Sequence, residues 1–298
     1  MKLSKTLAFT ILSVMMLSAC TRSESGSSRV VVQNKGSDTL VNVAQAWAEE
    51  YQNVNPAVAI AVTGGGSGTG IASLLNGTVD IANASRQMKD SERASLIEAG
   101  KEPQEFIVGF DALAIFVHPD NPMNEISIEQ LAQIYADGGA YERWSQLGIT
   151  VPGCSSDEIV RVSRQNNSGT YAYFREAVLA KQDFKLGSRD MHGSKDVVDL
   201  VMHTAGAIGY SGLAYASDEV KMPCVTSDGT DNCVTPSVAT ALDGSYPIAR
   251  PLLMYTAGQP DGATAEYLNW ILSDEGQCII LNKGYASATP VECVNPSV

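Results

Sequence analysis

The chain has 298 residues, with 33 acidic side chains against 20 basic ones and a formal net charge of −13. Its hydrophobic fraction of 44% and charged fraction of 18% are typical of a soluble globular protein. An acidic surface disfavours nucleic acid and anionic lipid, so we expect neither as a binding partner.

The first twenty residues form a separate segment. Lys2 and Lys5 precede an apolar run, residues 7–17, that is too short to span a bilayer, which predicts a secretory signal over residues 1–20. The run ends in Leu17-Ser18-Ala19-Cys20, which resembles the lipobox of bacterial lipoproteins and implies lipidation of Cys20. An ordinary signal peptide with a chance cysteine is the alternative. Residues 21–29 are Ser-rich and predict a flexible tether.

The remaining 278 residues (298 minus 20) are more than one compact hydrophobic core usually holds, so we expect two lobes. Strand-like and helix-like patterns alternate along them, which predicts an α/β protein. The run 106–117 is too long for one typical strand and predicts a crossing between lobes; a second crossing is expected near 246–248. The predicted lobes are therefore 30–111 with 247–298 (lobe I) and 112–246 (lobe II). The predicted helices are 39–51, 90–99, 128–135, 194–202, 264–272 and 275–281, and strands are predicted at 30–32, 58–62, 80–83 and 206–210.

Five cysteines follow Cys20, and an exported chain meets an oxidising compartment, so pairing is expected. Cys224 and Cys233 flank a turn-rich segment, and Cys278 and Cys293 could pin the C-terminal tail to the last helix. Cys154 is then left over. A metal site is not expected, because there is no CxxC spacing and no nearby histidine.

The tripeptide Ser-Gly-Thr occurs twice, at residues 67–69 and 168–170, each time between a strand-like and a helix-like run. Such a junction offers unpaired backbone N–H groups, hydroxyls and the positive end of a helix dipole, which together suit an anion. Residues 36–40, Gly-Ser-Asp-Thr-Leu, form a third hydroxyl-rich helix start. Arg164 is the last residue of the strand before the second junction. Its planar guanidinium can donate two parallel hydrogen bonds to an oxyanion. A capped helix beside a surface arginine is the alternative for that stretch.

These motifs together resemble the phosphate-binding proteins that serve bacterial ABC phosphate importers, and the resemblance covers nearly all of the chain after residue 28. The motifs that carry it, in the family's order, are 36–40, 64–68, 78–81, Trp144, Arg164 with 167–170, and 205–210.

The resemblance implies a two-lobed periplasmic-binding-protein fold with two inter-lobe crossovers (type II), no cofactor, and a monomer that delivers phosphate to a membrane permease. It implies export to the periplasm or cell surface, with membrane contact only through a lipid on Cys20. The ligand-binding residues that it implies are Thr39, Leu40, Ser67, Arg164, Ser168, Gly169 and Thr170.

One departure concerns selectivity. Well-known members of the family have an aspartate, after the strand that follows the first Gly-Ser loop, that accepts the proton of hydrogen phosphate. Here Ser85 and Arg86 stand at the corresponding place. Arg86 is either a second charge contact or a salt-bridged rim residue, and Asp38 is either the acceptor or a helix cap.

Two other functions stay open at this point, and a third is not expected. Sulfate, molybdate or arsenate could be the ligand of the same architecture, and a surface interaction lipoprotein could reuse it. A hydrolase is not expected, because neither Ser67 nor Ser168 lies in a GxSxG elbow and no pattern ties a histidine to them.

Overall fold

The structure is a computed structural model that describes residues 29–227 and 232–293. The predicted signal segment, Cys20 and residues 21–28 of the predicted tether lie outside the described residues. Within the described ranges no helix is both long and apolar enough to cross a membrane.

The described elements alternate as the sequence predicts. The strands are β1 (Val30–Gly36), β2 (Val58–Thr63), β3 (Ile81–Ala84), β4 (Pro103–Val117), β5 (Glu125–Ser127), β6 (Val160–Arg164), β7 (Arg189–Met191), β8 (Ala207–Gly212), β9 (Cys224–Thr226), β10 (Cys233–Val234), β11 (Ala249–Ala257) and β12 (Ala286–Ser287). The helices are α1 (Val41–Val54), α2 (Ser67–Leu75), α3 (Asp90–Glu98), α4 (Ile128–Tyr135), α5 (Gly169–Ala177), α6 (Ser194–Met202), α7 (Val238–Leu242), α8 (Gly262–Ile271) and α9 (Asp274–Asn282). Short 3₁₀ helices cover Asp38–Leu40, Trp144–Leu147 and Leu213–Tyr215.

One sheet runs through both halves of the described chain, in the order β2-β1-β3-β11-β4-β8-β6-β7, and β12 also pairs with β4. β4 joins the halves: residues 103–112 pair with β11, and residues 113–117 pair with β8. The long apolar run 106–117 therefore lies within a single strand of 15 residues that changes partner along its length. β11 returns antiparallel to it, next to the second predicted crossing.

Each half has apolar clusters on both faces of the sheet. In β3, Ile81 packs with Trp47 of α1 on one face, and the next residue, Ala82, packs with Leu74 of α2 on the other. The side chains of a strand alternate between faces, so helices on both sides bury them. The other half has the corresponding clusters around Tyr210 and around Val162. We keep lobe I and lobe II for the predicted ranges, whose boundaries stay a prediction.

Two disulfides, Cys224–Cys233 and Cys278–Cys293, confirm the predicted pairing, and Cys154 is a free thiol. The first links β9 to β10 in a small sheet with β5. Glu125 lies beside this disulfide. Disulfide sulfurs are not thiolates, so this group offers no site for a metal ion.

Candidate functional site

The turn between β1 and α1 is held in a fixed shape. Gly36 has φ +147°, and a Cβ there would overlap the carbonyl of Asn83, so only glycine fits. The hydroxyl of Tyr215 donates to the carbonyl of Asp38 at 2.7 Å, and the hydroxyl of Tyr285 donates to that of Thr39. Thr39 and Leu40 are buried in this turn. Leu40 is one of the ligand-binding residues that the resemblance implies, by its backbone N–H; in the structure this N–H donates to the carbonyl of Ser37 at 3.1 Å.

The first Ser-Gly-Thr begins α2, with Gly65 and Gly66 at φ +113° and +90° just before it. Ser67 is fully buried, and its hydroxyl makes no helix cap. Instead, Ser67 Oγ accepts the backbone N–H of Ser85 at 3.1 Å. Ser37 Oγ donates to Ser85 Oγ at 2.8 Å, so hydroxyls from three loops of lobe I form one buried cluster.

The second Ser-Gly-Thr begins α5, directly after β6. Ser168 is the N-cap: its Oγ accepts the backbone N–H of Thr170 at 3.1 Å and that of Tyr171 at 3.4 Å. A hydroxyl that accepts two bonds still has its own proton to donate. Ser168, Gly169 and Thr170 are all buried, so this helix start faces protein and not bulk solvent.

The start of α5 lies directly against lobe I. A Cβ placed on Gly169 would overlap Ser67 Oγ and lie 2.5 Å from Ser85 Oγ. Thr39 Oγ1 and Thr170 Oγ1 are 3.1 Å apart. Asn167 of lobe II accepts the backbone N–H of Gly68 at 3.0 Å through its carbonyl. Its side-chain Nδ2 donates to the carbonyl of Gly65 at 2.9 Å. The three hydroxyl-rich helix starts thus meet in a closed cleft.

Arg164 brings a positive charge to the same cleft and is 1% exposed. Its Nη1 donates to Ser194 Oγ at 3.0 Å, and its Nη2 donates to the carbonyl of His192 at 2.8 Å and to Asp38 Oδ2 at 3.3 Å. Burial lowers the pKa of the Arg164 guanidinium, and the Asp38 carboxylate opposes this shift. Its Nε is buried and has no hydrogen-bond partner among the described residues. This orphaned donor fits an anion as its partner.

A second buried ion pair, which sequence reasoning missed, underlies the cleft. Arg250 Nη2 donates to Asp111 Oδ2 at 2.8 Å, and the two side chains are 1% and 0% exposed. Burial raises the pKa of the Asp111 carboxyl, and Arg250 opposes this shift. The sequence does contain a sign of this pair. Asp111 is the one charged residue in the apolar run 106–117, and Arg250 is the one charged residue in the run 248–255 at the second crossing.

The three selectivity candidates have clear partners. Asp38 does not cap a helix, because its Oδ1 accepts the backbone N–H of Gly65 at 3.0 Å and its Oδ2 pairs with Arg164. Arg86 makes two bonds to Glu92, at 2.7 and 2.8 Å, which is the salt-bridged alternative for this residue. Ser85 belongs to the buried hydroxyl cluster of lobe I.

The structure brings the side chains of Thr39, Ser67, Ser168 and Thr170 together with Arg164 and Gly169. Their role in binding, and that of Leu40, stays a prediction. The imidazole rings of the three described histidines have other neighbours: His192 Nδ1 lies 3.2 Å from Gln165 Oε1, His203 Nδ1 lies 2.7 Å from the carbonyl of Asp199, and His118 Nδ1 lies 3.8 Å from Asp120 Oδ2.

Comparison with known proteins matches most of the chain to one family. A model of the PBP superfamily domain matches residues 23–275. The phosphate-binding protein PstS of Pseudomonas aeruginosa is 35% identical over 262 residues, which cover 84% of this chain and 80% of that protein.

Two solved structures agree with this match. A phosphate ABC transporter substrate-binding protein from Clostridium perfringens, solved with bound phosphate, superposes with a TM-score of 0.76 at 29% identity, covering 87% of this chain and 100% of that one. An ABC-type phosphate transport receptor from Vibrio cholerae gives 0.69 at 26% identity, with the same coverage. These neighbours confirm the predicted two-lobed fold. The chain therefore belongs to the PBP superfamily and, within it, to the phosphate-binding protein PstS family.

Proposed function

We propose that this protein binds inorganic phosphate in the cleft between its lobes and delivers it to the membrane permease of an ABC importer. The observation that carries the proposal is the meeting of three hydroxyl-rich helix starts from both lobes. The buried Arg164 supports it, because its Nε has no hydrogen-bond partner in the described part of the chain. The names of the relatives support the ligand: PstS of Pseudomonas aeruginosa is a phosphate-binding protein, and the Clostridium perfringens structure contains phosphate.

The geometry suits capture by closure of the two lobes around the anion. Ser168 and Thr170 would donate from the start of α5, and Thr39 and Ser67 from the facing lobe. Arg164 would add a charged donor to the same tetrahedral ligand. A two-lobed protein that closes like a hinge excludes water, and in a low dielectric each of these hydrogen bonds is stronger. Closure also presents a shape that a permease can distinguish from the open form.

Isothermal titration calorimetry with phosphate tests the proposal. Arg164→Ala should weaken phosphate binding by about 2–5 kcal/mol, because it removes a buried charged donor and leaves Asp38 unpaired. Arg161→Ala is the matched control: this arginine lies on the same strand but pairs with Glu142, outside the cleft. Wild-type affinity in the Arg164 variant would remove Arg164 from the site.

Titrations with sulfate, molybdate and arsenate separate phosphate from other oxyanions. We expect arsenate to compete, since it shares the shape and the proton of phosphate, and sulfate to bind weakly. Tighter binding of sulfate or molybdate would reassign the ligand. If ligand-stripped protein bound none of these anions at millimolar concentration, an interaction lipoprotein would become the better assignment.

Export and lipid anchoring form a separate part of the proposal. We propose that the protein is carried to the periplasm or cell surface and held there by a lipid on Cys20, as a monomer. Cys20→Ser should abolish labelling by a fatty-acid analogue and release the protein from membranes. Light scattering of the purified protein measures its mass. Incubation with a chromogenic phosphate ester tests the prediction that the protein is not an enzyme.

A further inference from the structure

Arg250 and Asp111 face each other where the two crossover strands pair, as register partners of β11 and β4. Arg250 Nε and Nη2 both donate to Asp111 Oδ2, at 3.1 and 2.8 Å, and Asp111 Oδ1 accepts the backbone N–H of Leu213 at 3.2 Å. Arg250 Nη1 donates to the carbonyl of Ser85 at 3.1 Å. The guanidinium is therefore fixed in position and orientation by its neighbours.

The same guanidinium contacts a threonine from each lobe. Arg250 Nη2 lies 3.3 Å from Thr39 Oγ1 and 3.1 Å from Thr170 Oγ1. This nitrogen has two hydrogens and three acceptors, so one hydrogen serves Asp111 and the other is shared between the threonine oxygens. Because a guanidinium can only donate, both hydroxyls must accept from it. The single proton of each hydroxyl then points away from Arg250. Thr39 Oγ1 and Thr170 Oγ1 are 3.1 Å apart, so one hydroxyl can donate to the other, and the proton of the second is directed elsewhere.

We infer that Arg250, held by Asp111, is a positioning residue of the phosphate site that orients the hydroxyls of Thr39 and Thr170 as donors towards a bound oxyanion. The inference rests on the proposed function. Hydroxyls are free to rotate, and each can otherwise act as an acceptor, which would repel an anion. Protons already turned away from the guanidinium need less reorganisation when the ligand arrives: only the one that bridges the two threonine oxygens must turn towards the anion.

Two other roles for the pair make different predictions. A purely structural ion pair between β4 and β11 would affect stability without any special link to the threonines. A direct charge contact to the anion would add to the threonine contacts and would not depend on them. Action through the threonines predicts that the effect of Arg250 disappears when both hydroxyls are absent.

A double-mutant cycle on the phosphate dissociation constant separates these cases. One arm is Arg250→Met/Asp111→Asn, which removes both charges together so that no bare carboxylate stays next to the anion. The other arm is Thr39→Val/Thr170→Val, which removes the hydroxyls with little change in shape. We expect each arm to weaken phosphate binding at least about tenfold. The combined variant should bind within about threefold of the valine variant.

Losses that multiply in the combined variant would overturn the inference, because the pair and the threonines would then act independently. Wild-type protein that binds no phosphate would instead refute the proposed function, so the two failures are distinguishable. As a control, Arg161→Met/Glu142→Gln removes an ion pair outside the cleft, and its effect, if any, should multiply with that of the valine variant.

Circular dichroism and thermal denaturation will show whether the Arg250→Met/Asp111→Asn variant folds. If it does not fold, a second variant tests the same inference. Arg250→Lys keeps the charge but not the planar fork, so it cannot reach Asp111 and both hydroxyls in the same way. We expect it to weaken phosphate binding when the threonines are present and to have little effect in the valine background. Equal losses in both backgrounds would overturn the inference.

Discussion

Gly169 is one of the residues through which the start of α5 contacts the facing lobe, and Gly169→Ala tests this closed contact. The added methyl group would overlap Ser67 Oγ and lie 2.5 Å from Ser85 Oγ. Gly169 is not among the residues with positive φ, so alanine fits its backbone, and alanine favours a helix more than glycine does. The cost should therefore fall on closure of the cleft and not on folding of either lobe.

The expected magnitude follows from the overlap. Inserting a methyl group into a well-packed contact costs about 1–3 kcal/mol. If closure and phosphate binding are coupled, this cost lowers the affinity for phosphate about 5–150-fold. Calorimetry measures the affinity, and small-angle X-ray scattering with and without phosphate measures the compaction. Thermal denaturation without phosphate should show a melting temperature no lower than that of the wild type.

Gly68→Ala is a graded control, because Gly68 lies at the start of α2 on the other side of the cleft. A Cβ there would have its nearest neighbour, the carbonyl oxygen of Asn167, at 3.3 Å. The same substitution therefore has more room, and we expect a smaller loss of affinity. Wild-type affinity and compaction in Gly169→Ala would refute the idea that phosphate is bound with α5 against Ser67 and Ser85.

Three further predictions concern selectivity and stability. If Asp38 accepts the proton of hydrogen phosphate, Asp38→Asn should reduce the preference for phosphate over sulfate in calorimetry; an unchanged preference assigns the proton elsewhere. Burial opposes ionisation of Glu92, but hydrogen bonds from Arg86 and from the Lys89 N–H outweigh burial and lower the pKa of Glu92. The ionised Glu92 therefore stabilises the fold above the ordinary glutamate pKa, and this stabilisation is lost as the pH falls through the lowered pKa. Glu92→Gln should thus reduce the free energy of unfolding by about 1–2 kcal/mol at neutral pH and less in acid, whereas exposed Glu98→Gln should change it little. Removing the Cys278–Cys293 disulfide, which closes a 15-residue separation, should cost about 3 kcal/mol in urea unfolding; no change would mean that the tail adds nothing to stability.

Local patterns predict the longer helices, whereas the five-residue helix α7 was not predicted. The apolar spacing in 128–135 and 194–202 predicts α4 and α6 with the bounds that the structure has. For the strand β4, the length of the run 106–117 predicts a crossing between the lobes but not the strands that pair with it. The structure keeps one strand since its first part pairs with β11 and its last part with β8, and a pairing partner is not a local property.

The same limit explains the missed ion pair. Ser67, Ser168 and Thr170 each follow a strand and open a helix, a pattern that local sequence displays. Asp111 and Arg250 are 139 residues apart, and each by itself is one charged residue in an apolar run. Only the register of the two crossover strands places them opposite each other.

An acidic protein can hold an anion if the site depends on oriented donors and not on net charge. Arg164 is paired with Asp38, and Arg250 with Asp111, so these four side chains together add no net charge. Under the proposed function, attraction would come instead from hydroxyls, backbone N–H groups and the positive ends of helix dipoles, which act at contact distance.

The dependence of phosphate affinity on salt concentration tests whether the donors at the site or the charge of the protein controls binding. The field of the distant acidic surface is screened over about 8–10 Å at physiological salt, whereas a buried contact is screened much less. Raising sodium chloride from low concentration to about 0.5 M should therefore leave phosphate affinity unchanged within about threefold, or tighten it slightly as the repulsive surface is screened. A steep loss of affinity in calorimetry over this range would mean that an unpaired positive charge, and not the oriented donors, holds the anion.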